Sequence, residues 1–223
     1  EATTFDLNYE EARGVVGAGS GPTDLPDFDL VRSELRPLGQ VQDSFIVAVD
    51  GNGLVLIDQH VAHERVLFEQ YVRERDSGTI EVQRLLTPII LELSPEQEVR
   101  FEEIAPELAA SGLEAEPFGP RTVAVKTAPA ILKAAAIEKL VLELIDGVDR
   151  ERQGLNLETF RKKTAATVAC HAAIKINNAL DSVKMRWLVT ELMKTDCPTV
   201  CPHGRPIIVR YDLKEIKKAF KRV

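Results

Sequence analysis

Phe45-Ile46-Val47-Ala48-Val49-Asp50-Gly51-Asn52-Gly53-Leu54-Val55-Leu56-Ile57-Asp58-Gln59-His60 is the stretch that decides the fold. Two apolar runs, Phe45 to Val49 and Leu54 to Ile57, flank an Asp-Gly-Asn-Gly segment whose residues tolerate positive φ, so the pattern reads as a β-hairpin. Its second strand delivers the chain to Asp58, and there the period changes. From Gln59 to about Arg75, Val61, Phe68 and Val72 fall near one helical stripe with charges between them, and Asp58 is placed to act as the N-cap.

Upstream, residues 1 to about 30 carry Gly17, Gly19, Gly21, Pro22 and Pro26 among acidic residues without a sustained period, and read as the end of a linker; order is expected from about Leu35. Downstream, β-like segments are expected around Ile80 to Val82 and Ile89 to Leu93. Ser94-Pro95-Glu96-Gln97 then opens a helix with an N-cap, a first-turn proline and a capping-box Gln, carrying Phe101, Ile104 and Leu108 to a stop at Gly112. Short strands near Leu113 to Glu116 and Thr122 to Val125 lead to a helix from about Pro129 to Ile145. This middle stretch of strand, helix, strand, strand, helix forms an α+β unit of its own. Beyond Gly154, helices are expected from Leu157 to Asn177 and from Asp181-Ser182 to Lys194. A Pro-containing loop from Asp196 to Pro206, a strand from Ile207 to Tyr211 and a last helix from Leu213 to Arg222 complete the chain. The fold class is α+β.

With 223 residues, 44% of them hydrophobic, the chain can bury a sizeable core. The opening segment starts at Glu1 and has neither the basic start nor the apolar run of a signal peptide, so a processed or cut piece in the cytoplasm is expected, with no membrane span. Three cysteines do not make a disulfide framework. The net charge of −7 predicts weak binding to duplex DNA by this chain alone. Basic residues gather at the end, in Lys214, Lys217, Lys218, Lys221 and Arg222 among others, as a solvated helix face or a contact surface.

All four histidines and three cysteines lie in two windows: His60 and His63 in the first; Cys170, His171, Cys197, Cys201 and His203 in the second. His60 and Glu64, four apart on the expected helix, share a face, with Asp58 at its start. Such a pair is a half-site for a divalent ion or a surface ion pair, and the strand-end carboxylate is placed to serve a second ion. Cys201-Pro202-His203-Gly204-Arg205-Pro206 offers a thiol and an imidazole two apart in a rigid loop. Cys170 is a further soft ligand or a small buried hydrophobe. Cys197 reads as a bystander, while His63 and His171 are expected to point away, solvated or behind the ligands. The mixed donors suit zinc at the soft end and manganese or magnesium at the hard end. No P-loop, dinucleotide fingerprint or Ser-His-Asp pattern competes, and the His-x-Glu half of a zinc deaminase is missing.

At this point the residues resemble a known family. Asp58-Gln59-His60 followed by Glu64 and Glu69 is similar to the endonuclease motif of nicking-type MutL DNA mismatch-repair proteins, DQHA-x2-E-x4-E, with Val61 where Ala is usual. Ala169-Cys170-His171 and Cys201 through Pro206 resemble the family's two further metal motifs, in the same order, and the likeness runs from about residue 35 to the end.

The resemblance implies a dimerisation and metal-binding subdomain of residues 31–82 and 159–223, interrupted by a regulatory subdomain of residues 83–158. It implies Asp58, His60, Glu64, Cys170, Cys201 and His203 as metal ligands, with Asp58, His60 and Glu64 catalytic; Glu69, about a third of a turn off the Glu64 face, is expected to be orienting or structural. Zn2+ would be regulatory or structural and Mn2+ or Mg2+ catalytic. Gln83, Leu85, Leu86 and Pro88, within Gln83-Arg84-Leu85-Leu86-Thr87-Pro88, resemble the family's docking motif for the replication sliding clamp. Further implied partners are a second copy of the chain, a mismatch-recognition protein reached through the full-length protein, and duplex DNA. ATP would bind only an N-terminal domain that this sequence lacks, and the setting would be the bacterial nucleoid. The competing expectation is a non-enzymatic dimerisation module with a structural zinc.

Overall fold

The computed structural model describes residues 35–148 and 156–222, so the linker expected over residues 1–30 lies outside the described residues. The chain is α+β, and its described residues divide into two compact units, residues 35–66 with 173–222 and residues 67–148 with 156–172. The sequence-based boundaries stood at 82/83 and 158/159; in the structure the second half of the first helix and all of the helix ending at Ala172 group with the middle unit.

The first unit is built on an antiparallel four-stranded sheet in the order β1 (Arg36–Val41), β2 (Phe45–Asp50), β3 (Gly53–Asp58), β7 (Ile208–Asp212). The β2–β3 turn is closed by Asp50, whose Oδ1 accepts from the backbone N–H groups of Asn52 and Gly53, as the turn chemistry requires. Alternation puts Ile46, Ala48, Val55, Ile57 and Ile208 on one buried face. They join one core cluster with Val61, Ala62 and Val66 from the start of α1 (Gln59–Asp76) and with Met185, Leu188, Val189 and Leu192 of α5 (Ser182–Met193). Asp181 caps α5 through Lys184 N–H.

The second unit holds a three-stranded sheet, β4 (Val82–Glu92), β6 (Thr122–Pro129), β5 (Ala115–Gly119), with α2 (Pro95–Ala110), α3 (Ala134–Asp146) and α4 (Leu157–Ala172). Ser94 and Gln97 close the capping box that starts α2, and Gly112, at φ +80°, turns the chain out of it. Where two separate strands were expected near residues 80 and 90, a single strand runs with an irregularity. Arg84 faces Thr127 and Ile89 faces Val125, so four residues, Leu85 to Pro88, oppose Lys126 alone.

The helix expected from Pro129 begins instead at Ala134. Pro129 ends β6 opposite Val82, and its carbonyl and that of Leu132 accept from Gln83 Nε2 at 3.2 and 2.6 Å, which fastens the strand-to-helix turn. The last helix, α6 (Leu213–Ala219), stops short of Arg222, with Lys221 at φ 53°. Among the described residues no helix is long and apolar enough to cross a membrane.

Tyr71, on the part of α1 in this unit, is 1% exposed and donates its hydroxyl to Ser111 O at 2.7 Å. Burial pushes its phenol up to about 12. An unfolded phenol titrates near ~10, so this contribution to stability is intact below that pH and is lost as pH rises from there through 12. Tyr71→Phe should cost about 1 kcal/mol in urea unfolding at pH 8, because the Ser111 carbonyl is left unsatisfied. Tyrosinate absorbance should show one of the three tyrosines titrating late, and the variant should lack it.

Candidate metal centre

β3 ends at Asp58 and α1 begins at Gln59, and one side chain makes that junction. Asp58 Oδ1 accepts from the N–H groups of His60 and Val61, both at 3.0 Å, satisfying two of the donors that a helix start leaves open. One turn into α1, His60 Nε2 lies 3.3 Å from Glu64 Oε1, the i, i+4 pairing expected from the spacing. Glu64 is 1% exposed. Its Oε2 accepts from Arg205 Nη2 at 2.9 Å, while its Oε1 is buried and takes no hydrogen bond.

The second window arrives through the pairing of β3 with β7. Ile57 faces Ile208, and Asp58 N–H donates to Ile207 O at 3.0 Å, which sets the loop before β7 beside the start of α1. The loop is itself a tight hairpin: Ile207 N–H donates to Thr199 O, Cys201 N–H to Arg205 O and Gly204 N–H to Cys201 O, with Gly204 at φ +80°. Arg65, buried on α1, donates from Nε and Nη2 to Val200 O and holds the loop against the helix.

Within it, Cys201 Sγ accepts the N–H groups of His203 and Arg205, both at 3.3 Å. Burial alone would push this thiol up; hydrogen bonds from the His203 side chain and from the Arg205 and His203 main chain outweigh it, and the thiol is held below its usual value. One ligand atom each from Glu64, Cys201 and His203 lie within 4.8 Å of one another. Oxygen, sulfur and nitrogen donors, with a buried carboxylate oxygen lacking any hydrogen bond, fit a divalent ion of zinc type.

Not every expected residue joins this cluster. Asp58 is occupied at one oxygen by capping, and Cys170 belongs to the second unit, where it is exposed on α4 rather than buried as a small hydrophobe. Cys197 is half-buried and outside the cluster. His171 pairs with Glu143 on α3 at 3.0 Å. Glu69 is buried on α1.

His63 is half-buried and lies outside the cluster. Its Nδ1 accepts the Ile174 N–H at 2.9 Å, and its ring stands edge-on to Trp187 at 5.9 Å and 74°. Burial, with His60 nearby, lowers its pKa to about 4. Gln59 was also passed over by sequence reasoning: fully buried, it accepts from Gln40 Nε2 and donates to Asp43 O and to Asn178 O. Arg65 and Gln59 give no sequence signal because the groups they donate to, Val200 O, Asp43 O and Asn178 O, are main-chain carbonyls far away in sequence.

Comparison with known proteins bears on the whole arrangement. Residues 38–180 match the model of the MutL C terminal dimerisation domain. The chain belongs to that family. The loop with Cys201 and His203 lies after the matched span. The chain is 54% identical over 200 residues, 90% of its length, to the DNA mismatch repair protein MutL of Koribacter versatilis, covering 31% of that protein. It is 49% identical over 216 residues, 94% of its length, to the protein of the same name from Acidobacterium capsulatum, and covers 32% of it. With that of Symbiobacterium thermophilum the identity is 40% over 204 residues, 90% of this chain and 32% of the relative. The chain thus spans about a third of the length of these curated relatives of the family.

Proposed function

We propose that this chain is the dimerisation and metal-dependent DNA-nicking part of a mismatch-repair protein, held on its substrate by a sliding clamp. The observation that carries the reading is the closure of Glu64, Cys201 and His203, with His60 on Glu64, from windows some 140 residues apart. A divalent ion bound there supplies Lewis acidity and an activated water for phosphodiester hydrolysis. The chain's own residues do the rest. Cys201, His203, Glu64 and His60 bind the ion, the loop hydrogen bonds hold the Cys201 thiol below its usual value, and Arg205 balances the Glu64 charge. Asp58 offers the carboxylate nearest the helix start for a second, harder ion, in line with the family's motif. The relatives' name, DNA mismatch repair protein MutL, supports DNA as substrate. The test is nicking of supercoiled plasmid by the full-length protein with Mn2+ and clamp. Open circles should accumulate and chelation should stop them; a folded, zinc-loaded dimer that never nicks favours the structural-zinc module.

Homodimerisation has a surface to use. The face of the four-stranded sheet turned from the core carries two cross-strand rows, Val47–Leu56–Val209 and Val49–Leu54–Tyr211, with Val209 and Tyr211 exposed and the others half-buried. In a twofold interface each side chain counts twice, and each is worth about 1.5–3 kcal/mol. Leu56→Glu should therefore weaken the dimer by about 100-fold or more in sedimentation equilibrium. An unchanged dimer in a folded variant would exclude this face.

For the clamp, the bulge offers the aliphatic part of the motif: Leu86 is fully exposed and Pro88 exposed beside it, with Leu85 half-buried. Gln83 is already bound to Pro129 and Leu132 carbonyls, so we assign it to shaping the bulge and Leu86 to entering the clamp pocket.

A further inference from the structure

We propose that His63 is a positioning residue for the metal centre, acting on His60 through the main chain of Ile174; the inference rests on the metal reading above. A carbonyl only accepts, so the 2.7 Å contact of His60 Nδ1 with Ile174 O requires His60 to carry a proton on Nδ1. The lone pair of neutral His60 is then on Nε2, the atom that faces Glu64 Oε1. A metal-binding imidazole has its tautomer and ring plane set by what its other nitrogen bonds, and here that partner is a peptide oxygen.

What fixes that oxygen is the question. Ile174 lies two residues beyond the end of α4, in a segment without regular structure, so no helix or strand ladder places it. Its N–H is taken by His63 Nδ1, one turn along α1 from His60. His63 thus grips the donor and His60 the acceptor of the same residue, and the two imidazoles lock Ile174 in one orientation. The Trp187 ring, edge-on to His63, holds the imidazole against rotation. The Ile174 side chain packs on the core cluster, which keeps the residue within reach but does not aim its carbonyl. Farther along the same segment, Asn178 O accepts from Gln59, so the segment is laced to successive positions of the α1 start.

An acceptor is all that position 63 needs to supply. Leu at 63 removes it while keeping the bulk; Asn offers a side-chain oxygen at a similar reach. Co2+ added to the chain reads the centre directly, because the Cys201 thiolate gives a charge-transfer band when it coordinates. His63→Leu should weaken Co2+ binding by about 10- to 100-fold, the range for partners behind a ligand, and His63→Asn should restore most of it. Two-bond 15N–1H correlation spectra of the metal-free protein give a second readout independent of loading. Recorded at a pH high enough for the ring to be neutral, His60 should be the Nδ1–H form in the wild type and a mixture in the Leu variant.

A folded His63→Leu protein with wild-type Co2+ affinity and an unchanged His60 tautomer overturns the proposal. So does equal loss in the Leu and Asn variants with the tautomer intact in both. If the wild type binds no Co2+ at all, the metal reading fails, and the tautomer spectra still decide whether His63 sets His60.

Discussion

Cys201→Ser should lower zinc affinity by more than about 100-fold while leaving the protein folded. Residues behind a ligand already cost ~10–100-fold, and Cys201 is the only thiol of the cluster, so the loss should exceed that range. The thiol is prepared for the role by two backbone N–H donors, whose hydrogen bonds a serine hydroxyl can partly accept, and this is why the loop should survive. Its hairpin is closed by Thr199, Cys201, Arg205 and Ile207 main-chain groups and by Arg65, none of which needs an ion. At free zinc of 100 times the wild-type Kd, binding adds about 2.7 kcal/mol to wild-type stability; at a 100-fold weaker Kd the gain falls to about 0.4 kcal/mol. Unfolding midpoints with and without zinc, alongside a chelator-competition titration, read both quantities. Chelation that unfolds the wild type outright would make the ion structural. Serine with wild-type affinity would remove Cys201 from the ligand set.

The same residues explain what could be read before the fold was known. The hairpin and α1 were legible because the period changes from two to about 3.6 at one acidic residue, and a single Asp side chain both ends the strand and caps the helix. The helix opening at Ser94 was legible because its two capping hydrogen bonds are local in sequence. The His60–Glu64 pair follows from spacing. Cys201 and His203 are only two apart, but their meeting with Glu64 depends on β7 pairing with β3, for which the order of motifs was the clue.

What stayed hidden lies in main-chain partners. α4 was expected to run to Asn177, yet it ends at Ala172, and just beyond it the Ile174 N–H and C=O go to His63 and His60 instead of to helical neighbours. No helical period reports that competition. His63 was expected to be solvated or behind the ligands; a helix wheel gives its direction but could not choose between the two, nor show that its partner is the Ile174 N–H. Pro129 looked like a helix start, as first-turn prolines often are, and is a strand end instead, because Gln83 binds the turn that follows. Gln83 itself, in a segment resembling a docking motif, gave no sign that its amide was already used.

Asp58→Asn should abolish metal-dependent nicking, to less than about 1% of wild type, with little change in stability or zinc affinity. Asn and Asp are about equally good N-caps, so the hydrogen bonds to His60 and Val61 N–H survive through the amide oxygen. What disappears is one negative charge at a helix N-terminus, worth about 0.3–1 kcal/mol of stability. Zinc affinity should hold because Glu64, Cys201 and His203 carry the cluster and Asp58 is outside it. Catalysis should not hold, because in the proposed reading the carboxylate serves the harder ion, and a neutral amide oxygen binds Mn2+ or Mg2+ far less well. Loss of a group that stabilises charge only in the transition state typically costs ~100–1000-fold. The full-length variant, given plasmid, Mn2+ and clamp, provides the measurement, with melting curves and zinc titrations on the same preparation. Equal nicking by variant and wild type would remove Asp58 from the chemistry. Loss of nicking together with loss of zinc would instead put Asp58 among the zinc ligands, and the separation between a soft site and a hard site would have to be abandoned.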